Sequence, residues 1–180
     1  EEVQAFVQSR HDWIANHWVK QQHRQQDAKA WLPQTGAVLP WRGQTLVLQV
    51  SQGAYRVVQA GDVLLIQTRD AQNAARLQRQ VVSWVAGQAV PVFQRELQYY
   101  AQKMAVDCPS MGLSNAKGRW GSCRSDGFIR LNWRLMLAPP EVLAYVVAHE
   151  LAHLKEMNHS AQFWAWVAKI YPDYVRWRAE

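Results

Sequence analysis

The sequence predicts an α+β fold. Three observations carry that expectation: apolar residues at helical spacing over residues 70–104 and 139–156, short β-rich runs punctuated by Gly and Pro over residues 31–68, and an alternating strand at residues 128–135 that leads into the second helical stretch. A chain of 180 residues, 49% of them apolar, is long enough to bury one real core. A single domain over residues 1–180 is therefore expected, with a helix and β-rich subregion in 1–69 and the functional core in 70–180.

Residues 1–30 read as an amphipathic helix, with Val3, Phe6, Val7, Ile14 and Trp18 on one stripe. His11, His17 and His23 recur here without a carboxylate set to complete a site, and read as surface histidines. Residues 45–50, 55–59 and 63–68, separated by Gly-containing breaks, predict a small antiparallel meander that serves as scaffold. Asp70 is the expected cap of the next helix, which Gly87 and Pro91 should kink or divide. Met111 to Leu137 should form a strand, a tight turn and a return strand. On that return Ile129, Leu131, Trp133 and Leu135 alternate with Phe128, Arg130, Asn132 and Arg134. Pro139 and Pro140 then open a helix in whose first turn a missing N–H costs nothing.

That last helix carries the chemistry. His149 and His153 are four residues apart, so a helix stacks them on one face. Two imidazoles so placed can bind one Zn²⁺, and Glu150 beside them can reach a metal-bound water without ligating the metal. A third ligand is still needed. His159 suits only if the helix stops near 156–158 and the chain folds back, because six more helical residues would carry it roughly 9 Å along the axis. Asn158 tolerates the left-handed conformation that ends helices, and Ser160 is a good cap for a new one. Phe163, Trp164, Val167 and Ile170 then form an amphipathic helix that should support the loop.

Composition adds bounds. No apolar run approaches the ~20 residues of a membrane span, and no charged-then-apolar signal segment opens the chain. Cys108 and Cys123 read as reduced thiols, and a cytoplasmic location is expected. The formal net charge of +6 biases the chain towards acidic partners such as nucleic acid, nucleotides or acidic peptides. Oligomeric state is not legible.

Arg119-Trp120-Gly121-Ser122-Cys123, then Ile129-Arg130-Leu131-Asn132-Trp133, then residues 145–154 around His149-Glu150, then Asn158-His159-Ser160 with Phe163-Trp164, resemble the YgjP-like metallopeptidase family, relatives of the SprT-type and WLM-type zinc proteases. The resemblance is dense from about residue 115 to 175. It implies a compact zincin-like fold of the minigluzincin or SprT-like kind, with His149, His153 and His159 as zinc ligands and Glu150 as the catalytic carboxylate. It also implies an edge strand beside the metal for an extended peptide, expected at residues 128–135. Metzincins share the histidine spacing, but Glu156 stands where they have glycine and no separate Met-turn follows.

The expected chemistry is hydrolysis of a polypeptide by a zinc-activated water with Glu150 as general base. Arg119, Asn132 or Tyr145 would steady the oxyanion. Two alternatives keep the metal. Lys117, Arg119, Arg124, Arg130 and Arg134 cluster closely enough to hold phosphate, which would suit a nucleoside triphosphate pyrophosphatase. A SprT-type protease recruited to DNA is the other.

Overall fold

In the computed structural model residues 31–177 are described, and the helix and histidines expected in residues 1–30 lie outside them. The unit from Pro33 onward contains two small sheets and a set of helices. Strands β1 (Val38–Trp41), β2 (Gln44–Gln52), β3 (Arg56–Ala60) and β4 (Val63–Thr68) form the first sheet in the order β1-β2-β4-β3. This is not the expected meander, because β2 and β4 run parallel and β3 sits at the edge. Ser51, Gln52 and Gly53 do not close a hairpin. The chain passes outward to β3 and returns through Gly61, at φ +61°, into the slot beside β2. β1 is masked in the sequence by Pro40 within it and by Gly36 and Gly43 on either side. Its turn to β2 puts both Arg42 and Gly43 at positive φ, the conformation of a tight two-residue hairpin.

Helix α1 (Ala74–Met104) is one 31-residue element. Neither Gly87 nor Pro91 divides it, because an uninterrupted stripe from Leu77 and Val81 through Val92, Phe93 and Leu97 to Met104 is buried along its length. Its cap is Asn73 rather than Asp70: the Asn73 side chain accepts from the Arg76 N–H at 3.0 Å. Trp84 on α1 meets Trp41 of β1 with ring centroids 4.6 Å apart, and the Gln80 amide donates to Thr68 Oγ1, so α1 closes the first sheet. Near its other end Tyr100 is buried against Tyr171, and burial with the nearby Glu96 pushes its hydroxyl up to about 12. The fold thus favours the neutral phenol. Its contribution is intact below about pH 10 and lost as pH rises through about 12, so a Tyr100→Phe variant should show a shallower decline in melting temperature across that alkaline range.

The second sheet contains β5 (Met111–Ser114), β6 (Gly121–Cys123) and β7 (Ile129–Asn132) in the order β5-β7-β6. β7 is therefore central, and the expected use of residues 128–135 as a substrate-bearing edge is corrected by this order. β6 holds the edge. The alternation foreseen up to Leu135 also stops early: Asn132 is buried, and Trp133–Leu137 form a 3-10 turn that Asn132 caps through its side chain. Arg42 N–H donates to the Met136 carbonyl, tying the β1–β2 turn to this segment.

Helix α2 (Pro140–Ala152) starts on the expected proline and is apolar on nearly every face, as a core helix must be. Val142, Leu143, Val146, Val147 and Leu151 are buried, each worth about 1.5–3 kcal/mol. α2 packs on α1, on β6 and on α3 (Ala161–Ile170). A last four-residue turn, α4 (Tyr174–Trp177), follows. Among the described residues no helix is long and apolar enough to cross a membrane.

Candidate metal centre

α2 ends sooner than the sequence suggested, at Ala152, with His153 as its cap. The Leu154 N–H donates to Leu151 and the Lys155 N–H to Ala152, so tight turns bend the chain away. Asn158 is not among the described residues at positive φ, so the bend does not use the left-handed conformation expected there. The expected restart does occur: Ser160 caps α3 by accepting from the Phe163 N–H at 3.3 Å.

The bend brings the three histidines together. One nitrogen from each of His149, His153 and His159 lies within 4.8 Å of the others. His149 Nε2 and His159 Nε2 are 3.0 Å apart. Two nitrogens bound to one tetrahedral ion at 2.0–2.1 Å would be about 3.3 Å apart, so the spacing suits a shared cation. His153 Nδ1–H donates to the Glu156 carbonyl at 3.2 Å, which fixes the tautomer and leaves its Nε2 lone pair for a ligand. Burial and the neighbouring His159 hold the His153 pKa below its ordinary value, against the pull of that carbonyl, and favour the neutral ring a metal needs. Phe163, fully buried, is in ring contact with all three imidazoles at centroid distances of 4.6–4.9 Å, and Trp164 stacks on His159. The apolar face of α3 thus supports the whole cluster.

Glu150 is 5% exposed, and its Oε2 is buried without a hydrogen-bond partner among the described residues. Burial pushes its carboxyl up to about 7, with Arg119 pulling the other way. A buried carboxylate oxygen left unmatched beside three imidazoles is costly unless a ligand answers it, so the donor set fits a metal with an associated water. What holds the carboxylate there is a residue the sequence reading passed over. Gly121 of β6 lies so close that a Cβ on it would sit 2.7 Å from both Cγ and Cδ of Glu150. A glycine at the start of a strand is the signal that could have revealed this approach.

Two cavities flank Gly121. One, of about 240 Å³, is lined by Arg119, Trp120, Tyr145 and Val146; the other, of about 300 Å³, by Ser122, Cys123, His153, Met157 and His159. Both are also lined by Gly121, His149 and Glu150. Tyr145 and Arg119 are therefore brought to the site. Asn132 lines neither cavity: its amide donates to the carbonyls of Ala116 at 2.7 Å and Arg119 at 3.2 Å, and its own N–H donates to Trp120. It clamps the loop before β6. Cys123 is a free thiol that burial, Glu150 and Asp126 push up to about 11, so it stays protonated at neutral pH.

A core helix and the bend after it that converge three imidazoles beside a buried carboxylate, against a half-buried edge strand, have the donor set of a metal-dependent hydrolase. The chain belongs to the YgjP-like metallopeptidase family, whose metallopeptidase-domain model matches residues 1–180. Membership makes it a metallopeptidase and implies a divalent metal. Among solved structures it is similar to the metallopeptidase zymogen abylysin of Pyrococcus abyssi, at 25% identity over 47% of this chain and 85% of that one, with a TM-score of 0.43. It is also similar to the jannalysin zymogen of Methanocaldococcus jannaschii, at 18% identity over 48% and 92%, with a TM-score of 0.42. No curated protein matches it.

Proposed function

We propose that the chain is a zinc metallopeptidase in which His149, His153 and His159 hold the ion and Glu150 is the general base. The observation that carries this reading is the 3.0 Å approach of His149 Nε2 and His159 Nε2 beside the buried, unmatched Glu150 carboxylate. Zinc at this position supplies Lewis-acid polarisation of a carbonyl and lowers the pKa of water.

The protein's own groups do the rest. Glu150 accepts the proton of the attacking water and delivers it to the leaving amine, the task of a carboxylate set beside the ion's ligands. Tyr145, one helical turn before His149 and lining the same cavity, is placed to donate to the oxyanion. The peptide lies along β6. Pairing with β7 uses the backbone groups of Trp120, Ser122 and Arg124, because Trp120 faces Asn132 and Arg124 faces Phe128 through ladder bonds. The N–H and C=O of Gly121 and Cys123 consequently point to the open edge, where an extended substrate can add as a strand.

Family membership favours a polypeptide over a nucleotide substrate. The test is to incubate the zinc-loaded protein separately with an unfolded polypeptide and with nucleoside triphosphates. Peptide products without pyrophosphate release are expected. Pyrophosphate release with the polypeptide left intact would overturn the assignment.

A further inference from the structure

Arg119 sits at the rim of the cavity it shares with Trp120, Tyr145 and Glu150. Its backbone is pinned, since the Arg119 and Trp120 carbonyls both accept from Asn132, which is 2% exposed. Its side chain is exposed and has no carboxylate at ion-pair distance among the described residues. Neighbouring arginines differ. Arg124 pairs with Asp126, and Arg134 donates to Asn115 and lies over the Trp133 ring at 4.3 Å. A cation on a fixed base, lining the cleft and without an ion pair among the described residues, is arranged to read a ligand.

We propose that Arg119 is a specificity-determining residue, its guanidinium receiving the carboxylate of an acidic side chain within a few residues of the scissile bond. The inference rests on the peptidase reading above and names the substrate class of that site. A guanidinium fork matches a carboxylate in bidentate fashion. Glu150, buried beneath Gly121, feels Arg119 through space but forms no ion pair with it, so the solvent-exposed guanidinium keeps its donors for an incoming group. The exposed indole of Trp120 forms an apolar wall for the methylenes of a glutamate. The same cation disfavours lysine or arginine at that subsite by like-charge repulsion.

The test begins with mass-spectrometric mapping of cleavage sites in an unfolded polypeptide, where one position beside the cut should be enriched in Asp and Glu. Matched peptides carrying Glu, Gln or Lys at that position are then compared with the wild type, R119Q and R119E. The wild type should favour Glu over Lys by about tenfold or more in kcat/KM, R119Q should level the three, and R119E should reverse the order. Affinities of the same peptides for the non-cleaving Glu150→Gln protein, read by fluorescence anisotropy, should follow the same ranking. An equal loss on all three peptides in both Arg119 variants would instead make Arg119 an oxyanion donor and overturn the proposal, as would an unchanged preference. Cleavage of no peptide by the wild type contradicts the peptidase reading itself; cleavage without acidic preference contradicts only the role given to Arg119.

Discussion

Replacing Glu150 with glutamine will leave the protein folded and able to hold its metal while lowering peptide hydrolysis by about 10²–10⁴-fold in kcat, the range expected for loss of a general base. Glu150 is outside the cluster formed by His149, His153 and His159, so its loss removes no imidazole. Glutamine has the same outline and fits under Gly121, but its amide cannot take a proton from water. The substitution also removes a carboxylate that is 5% exposed and whose Oε2 lacks a partner. The metal-free variant should therefore melt no lower than the metal-free parent. Metal content, melting temperature and turnover on an unfolded polypeptide check the three parts. Retained turnover above a tenth of the parent's would remove Glu150 from the chemistry.

Gly121→Ala is the second large effect, and it comes from space alone. Gly121 is not among the residues at positive φ, so the backbone tolerates a side chain. The added Cβ would lie 2.7 Å from Cγ and Cδ of Glu150, where carbon atoms prefer about 3.5–4.0 Å. The strand or the carboxylate must move by about 1 Å, a displacement that can cost on the order of 10²-fold in rate. Overpacking should also cost about 1–3 kcal/mol in stability. Gly118→Ala, in the loop just before β6 and with nothing within 4 Å of its Cβ, should stay within about 0.5 kcal/mol of the parent. Adding Glu150→Ala to Gly121→Ala should abolish the stability cost, because the clashing group is gone. A Gly121→Ala protein with full activity would show that the carboxylate is not held by β6.

The metal-site helix was readable because its signals are local. The four-residue spacing of His149 and His153, the proline start and the Ser160 cap each act over one turn, and the structure keeps all three. The bend that delivers His159 was inferable from the metal's need for a third ligand, yet its place was misjudged. The chain turns at Ala152, stabilised by the His153–Glu156 contact, which no residue pattern announces. Sheet topology was the weakest inference. Parallel pairing of β2 with β4, and the central rather than edge position of β7, depend on contacts between segments far apart in sequence. The unbroken α1 shows the same limit from the other side, since tertiary burial outweighs what Gly87 and Pro91 would do alone. Asn132 and Gly121 lie in a stretch whose chemical residues attract attention first, and their roles emerge only from what the folded chain places against them.

Zinc affinity, measured by competition with a chromogenic chelator on the parent and on His159→Ala, tests the central claim most directly. The parent should bind a single tight zinc per chain, and His159→Ala should weaken that binding by more than about 100-fold while keeping the fold. Zinc bound as tightly by His159→Ala as by the parent would contradict the three-imidazole centre on which the mechanism depends.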